Sequence, residues 1–200
     1  DAKTLLAYMG LPCVQAPSEG EAQAAYMVRK GDAELLSSQD YDSLLFGAPV
    51  MIRNLSAARK KTLPEVIELK TLEEKHGITR VEFVDLAILV GTDFNPGIKG
   101  IGVKRALKLI KKHRSIEKLI SKAEIEKIEG IENYELVRDI FLHPDVNESY
   151  ELKPGTPDEE KVKEFLCEKH DFSEERVSKA LERISMPKIN VPQRKIEQWL

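Results

Sequence analysis

From residue 11 to residue 90, short apolar runs alternate with stretches of helical periodicity. After Asn95 the alternation stops, and this change of texture constrains the fold more than any other feature of the chain. Leu5, Leu6 and Met9 stand at helical spacing ahead of Gly10, so the chain opens inside a helix. Residues 11–16 read as a strand. A helix over 18–30 follows, with Ser18 and Glu21 in capping-box spacing and Gly31 as the stop. Residues 33–37 form a second strand, residues 39–42 a turn, and 50–55 and 66–69 a pair of strands around the basic loop Arg59-Lys60-Lys61. Thr79 and Glu82 make another capping box, heading an apolar helix that ends at Gly91. This order predicts an α/β fold, a parallel-type sheet flanked by helices over 1–95.

The second portion, 96–185, opens with Gly97-Ile98-Lys99-Gly100-Ile101-Gly102 and is helical in periodicity, except for a polar loop over 144–157 that holds three prolines. Residues 186–200 contain Pro187 and Pro192 and read as an extended tail. No apolar run spans a bilayer, which needs about 20 residues, and the first residues lack the pattern of a signal peptide. Two cysteines, Cys13 and Cys167, make no disulfide scaffold, so the chain is expected to be intracellular, in cytoplasm or nucleoid if archaeal and in the nucleus if eukaryotic. The net charge of −3 does not exclude a nucleic-acid partner, because basic groups act through clustering on one face.

Carboxylates gather in three segments: Glu19 and Glu21, Asp40 and Asp42, and Asp93. Each alone suits a helix start or a turn, where acids favour the helix dipole or the local backbone. In an open α/β sheet, however, strand ends converge on one edge, and these segments sit at predicted strand ends. Five converging carboxylates suit two divalent cations about 3.5–4 Å apart, which stabilise the attacking and leaving oxygens of a phosphodiester. Beyond them, Gly100 and Gly102 leave room for a phosphate against backbone amides at a helix N-terminus. Lys104, Lys108 and Lys111 then form a basic stripe, with Val103, Leu107 and Ile110 as the buried one and Lys112 and Arg114 extending the charge. That combination predicts sequence-independent binding of duplex backbone, with Lys99 and Arg105 beside the glycines.

Three stretches, 16–26, 38–47 and 91–102, resemble the flap endonucleases, structure-specific 5′-nucleases, and the archaeal type especially. The resemblance implies a PIN-like 5′-nuclease core followed by a helix–two-turns–helix portion. It implies a metal-dependent DNA endonuclease and 5′–3′ exonuclease that removes 5′ flaps from branched DNA in Okazaki-fragment maturation and repair. The implied metal ligands and catalytic residues are Glu19, Glu21, Asp40, Asp42 and Asp93, holding two Mg²⁺ or Mn²⁺ ions, with K⁺ at the glycine hairpin. Two further aspartates and a basic arch precede this stretch in the family pattern. The alternative reading is therefore a DNA- and clamp-binding piece that is not catalytic without that missing N-terminal part.

Gln193, Ile196, Trp199 and Leu200 resemble the motif by which replication proteins dock on a sliding clamp, with Leu200 where a second aromatic is usual. His76, His113, His143 and His170 lack ligand spacing. Cys13 and Cys167 read as small, at least half-buried residues.

Overall fold

The computed structural model describes residues 1–55, 63–125 and 129–185. These fall into two compact units: Gln15–Glu148, and Asp1–Val14 together with the chain from Ser149 onward.

The larger unit starts with α2 (Gly20–Lys30), after α1 (Ala2–Tyr8) in the other unit. β1 (Leu36–Ser37), α3 (Asp42–Leu45), β2 (Val50–Arg53), β3 (Glu65–Glu68), α4 (Leu69–His76) and α5 (Arg80–Val90) follow. The sheet has the order β1-β2-β3. β1 runs parallel to β2, pairing Leu36 with Met51, and β3 is antiparallel, pairing Ile67 with Met51. The small sheet is thus mixed, flanked by helices.

α5 is the central helix. Its Thr79–Glu82 capping box forms as predicted, with the Thr79 amide donating to Glu82 Oε2 at 2.7 Å. Its residues are apolar nearly all round, and it buries Val84, Leu86, Ile88 and Leu89 on several sides. Asp85, only 1% exposed, accepts from Arg138 Nε at 2.6 Å and from the Ile116 amide at 3.2 Å. Those bonds tie α5 to α7 (Ile116–Ser121) and α8 (Tyr134–Leu142), and α5 also packs on α6 (Val103–His113). Phe141 of α8 packs tilted against Phe46 and edge-on against Phe94, with ring centroids 4.9 and 5.4 Å apart, tying sheet side and helical side into one core.

The smaller unit packs α1, α9 (Glu159–Lys163), the wider turn Glu164–Glu168 and α10 (Glu174–Ser185) around Val162, Val177 and Leu181. Tyr8 meets Phe165 edge-on at 5.9 Å. The polar 144–157 stretch carries no regular element, as expected. No described helix is long and apolar enough to cross a membrane.

Four local expectations are corrected, the last being the burial of Cys13. Residues 11–16 are extended but form no strand, because a strand exists only with a hydrogen-bonded neighbour and none of the described strands pairs there. The Ser18–Glu21 box does not form. α2 begins at Gly20 with Glu19 as N-cap and no side-chain cap, and Glu21 instead accepts from Ser38 Oγ at 3.3 Å. The buried stripe of α6 is Ala106, Ile110 and His113. Val103 is 60% exposed and Leu107 half-buried, while Ile110 is buried as expected. Cys13 is exposed and Cys167 half-buried.

Candidate functional site

The exit of β1 and the exit of α5 meet at one corner of the larger unit. Ser38 follows β1, and its amide still donates to Ile52 O on β2 at 3.2 Å. The chain then turns into α3. The Asp40 amide donates to Ser38 Oγ at 3.0 Å and the Asp42 amide to Asp40 Oδ1 at 3.1 Å, an arrangement that suits short polar side chains at a helix start.

From the other side, Gly91 ends α5 with φ +116°, and a Cβ there would lie 2.8 Å from Pro96 O. The Thr92–Asn95 turn that follows is closed by Thr92 Oγ1 donating to Asn95 Oδ1 at 2.8 Å. Asn95, buried, fixes this turn by donating to Ile88 O at 2.8 Å and to Gly130 O at 3.1 Å. Asp93 projects from the turn.

Asp40, Asp42 and Asp93 each offer a carboxylate oxygen, and these three atoms all lie within 4.8 Å of one another. Asp40 and Asp93 are exposed and Asp42 half-buried. Burial pushes the Asp42 carboxyl up from 3.8 to about 6, and Asp40, Asp93, Glu21 and Glu19 add to it in that order. Glu21 and Glu19, at the head of α2, therefore contribute to the same negative field, although they stand outside the three-residue group. An all-carboxylate corner with repelling neighbours is chemically suited to a hard divalent cation, and this cluster can hold a metal ion.

Four residues beyond Asp93 the glycine hairpin begins. Gly97 has φ +74°, and a Cβ on it would collide with the Val90 carbonyl group, so only glycine fits beside the end of α5. Gly100, at φ +85°, faces open space, as does Gly102, the extended N-cap of α6. Lys99 and Arg105 line one shallow groove with Ile98 and Ile101. Lys104, Lys108 and Lys111 are exposed along α6. Lys112 and Arg114 do not extend this stripe. Lys112 pairs with Glu124 at 2.6 Å, and Arg114 sits 3.3 Å from Glu82 and donates to Gly77 O.

Sequence reasoning missed two side chains that organise the acidic corner. Ser38, at the end of β1, links Glu21 to the Asp40 amide. Arg53, at the end of β2, reaches the same turn, donating from Nε to Gln39 O at 3.2 Å and from Nη1 to the Tyr41 hydroxyl. Ser38 heads the 38–47 stretch that carries the resemblance but has no role assigned by it, and Arg53 lies unmarked within the predicted 50–55 strand. The basic loop 59–61 and the tail residues Gln193, Ile196, Trp199 and Leu200 lie outside the described residues.

Comparison with known proteins finds related sequences and folds. A match to the XPG I-region covers residues 10–93, the span that holds all five acids. Flap endonuclease 1 of Methanocella arvoryzae is 52% identical over 195 residues, covering 92% of this chain and 56% of that protein. Among solved structures, flap endonuclease-1 from Methanococcus jannaschii superposes with a TM-score of 0.82 at 42% identity, over 91% of this chain and 55% of that one. The catalytic core of Rad2 in complex with DNA substrate shares the fold, with a TM-score of 0.76 at 21% identity over 91% of this chain and 66% of that one. The chain thus spans little more than half the length of the curated relatives it matches.

Proposed function

We propose that this chain belongs to the flap endonuclease family and supplies the acidic corner and the duplex grip of a structure-specific 5′-flap endonuclease acting on branched DNA in replication and repair. One observation carries the reading. Asp93, in the acidic cluster that could hold a metal, is joined to the glycine hairpin by only three intervening residues, and that short link is pinned by the buried Asn95. A strand held at the hairpin is therefore presented at a fixed offset from the carboxylates, and such fixed geometry is what positioning contributes to phosphodiester hydrolysis.

Within this reading Asp40, Asp42 and Asp93 hold divalent cations, with Glu19 and Glu21 contributing charge from α2. Bound Mg²⁺ or Mn²⁺ supplies Lewis-acid activation and neutralises charge building on the cleaved phosphate. Ser38 orients Glu21 and the Asp40 amide. The open face of Gly100 and Gly102 and the head of α6 present amide donors to backbone phosphate, a setting that also suits K⁺ beside the hairpin carbonyls. Lys99, Lys104, Arg105 and Lys108 add a sequence-independent electrostatic hold. The sequence pattern at Gln193, Ile196, Trp199 and Leu200 supports docking on a sliding clamp through its apolar side chains.

The test is cleavage of a 5′-flap substrate by the full-length protein that contains this chain. Asp40→Ala and Asp93→Ala are each expected to abolish magnesium-dependent cleavage while leaving flap binding nearly intact. Undiminished turnover in either variant would remove the assignment. Assaying this chain with and without the remaining length of the protein separates a catalytic unit from a DNA- and clamp-binding one.

A further inference from the structure

Arg53 stands out as a cation committed to the acidic corner without being able to ligate a metal. It closes β2, opposite Glu65 in the β2–β3 ladder, and its Nη1 is 3.6 Å from Glu65 Oε2. From there the guanidinium crosses the exit of β1 and takes hold of the turn on both sides of Asp40. Nε donates to the Gln39 carbonyl at 3.2 Å, Nη1 donates to the Tyr41 hydroxyl, and the guanidinium carbon lies 4.1 Å from the Tyr41 ring centroid. Tyr41 is 47% exposed, so it has little packing of its own to fix it. It is also the residue between Asp40 and Asp42. Burial elsewhere in the core sets the position of α3, but the orientation of residues 39–41 rests on Arg53 from one side and Ser38 from the other.

We infer that Arg53 is a positioning residue: by clamping Gln39 and Tyr41 it fixes the Asp40–Asp42 turn in the conformation that binds a divalent cation. The inference rests on reading the acidic cluster as a cation site. Its physical basis is that carboxylates repelling one another tend to splay unless their backbone is held, and outer-shell contacts of this kind commonly change ion affinity by about 10- to 100-fold. An arginine suits the task better than a lysine, because its planar fork can serve a carbonyl, a hydroxyl and a ring face together.

The experiment is a titration of the full-length protein that contains this chain with Mn²⁺, counting free ion by electron paramagnetic resonance, alongside thermal melting in chelator. Arg53→Met is expected to weaken Mn²⁺ binding about tenfold or more. Arg53→Lys is expected to recover part of that affinity, and Tyr41→Phe, which keeps the ring but not the hydroxyl, to fall between wild type and Arg53→Met. The chelator melts of all three should stay close to wild type. Glu65→Gln, which removes only the outer ion pair, is expected to leave affinity within about twofold, as a surface pair contributes little. If Asp40→Asn abolishes binding while Arg53→Met leaves it unchanged, the positioning role is overturned and the cation site stands. A melt lowered in step with affinity would likewise overturn it, in favour of a purely structural part. If wild type binds no Mn²⁺, the cation reading itself fails and takes the positioning role with it.

Discussion

Gly130 lies directly against the carbonyl of Gly97: a Cβ on Gly130, which has φ +92°, would fall on the Gly97 oxygen. The Gly130 carbonyl in turn accepts from Asn95 Nδ2, and its amide donates to Glu132 at 3.0 Å. The hairpin that leads into α6 is therefore backed by a second glycine well over two dozen residues further along the chain. Gly130→Ala combines left-handed strain with a backbone collision, and is expected to cost about 2–4 kcal/mol. For a chain of this size that is a fall of roughly 5–15 °C in melting midpoint. An unchanged melt would show that the hairpin does not depend on this close approach.

The acidic corner gives stability a distinctive pH dependence. Asp42 titrates near 6 in the folded protein against 3.8 when free, so the folded state holds its proton more tightly. Without divalent ions, stability is expected to fall as pH rises from about 4 through 6 and then level off, by about 1 kcal/mol once solvent screening of a half-exposed group is allowed for. Mg²⁺ should raise the melting midpoint at a pH of about 7.5 and do so much less at about 5, where the proton occupies the site. Asp42→Asn should flatten the profile. Differential scanning calorimetry with chelator or magnesium at the two pH values makes the comparison.

Lysines of similar sequence context should differ in their effect on DNA binding. Lys99, Lys104 and Lys108 are exposed and form no ion pair among the described residues, whereas Lys112 is paired with Glu124 at 2.6 Å. Replacing the first three with alanine is expected to reduce the slope of log affinity against log salt by up to about 2.7, at roughly 0.9 for each phosphate no longer neutralised. Lys112→Ala should change the slope little. Fluorescence anisotropy on duplex DNA across a salt series reads both. An unaltered slope in the triple variant would remove the hairpin as the duplex site.

Asp85 joins α5, α7 and α8, with Arg138 reaching from Asp85 to Glu117, both at 2.6 Å. Burial raises the Asp85 carboxyl above its ordinary value even though Arg138 and the Ile116 amide work against that shift. Arg138→Met leaves a buried carboxylate without its cation and is expected to destabilise by about 3–5 kcal/mol. Adding Asp85→Leu should restore part of that stability, because an apolar pair carries no desolvation penalty. Chemical denaturation of the single and double variants gives both numbers. A double variant no more stable than the single would refute this account.

What the sequence determined by itself was local or compositional. The Thr79–Glu82 box, the Gly31 and Gly91 stops and the glycine run from Gly97 are legible because each depends on neighbours within a few residues. The acidic cluster was legible in part: Asp40, Asp42 and Asp93, at predicted strand and helix ends, come together, while Glu19 and Glu21 stand outside the group. Tertiary structure decided what depends on partners far along the chain. Glu21 was taken from its capping box by Ser38. Lys112 and Arg114 were neutralised by Glu124 and Glu82. Residues 11–16 stayed unpaired for want of a neighbour, and Arg53 was brought onto a turn a dozen residues before it. Hydrogen bonds and ion pairs act over a few ångströms of space, and separation along the chain does not fix separation in space until the core has packed.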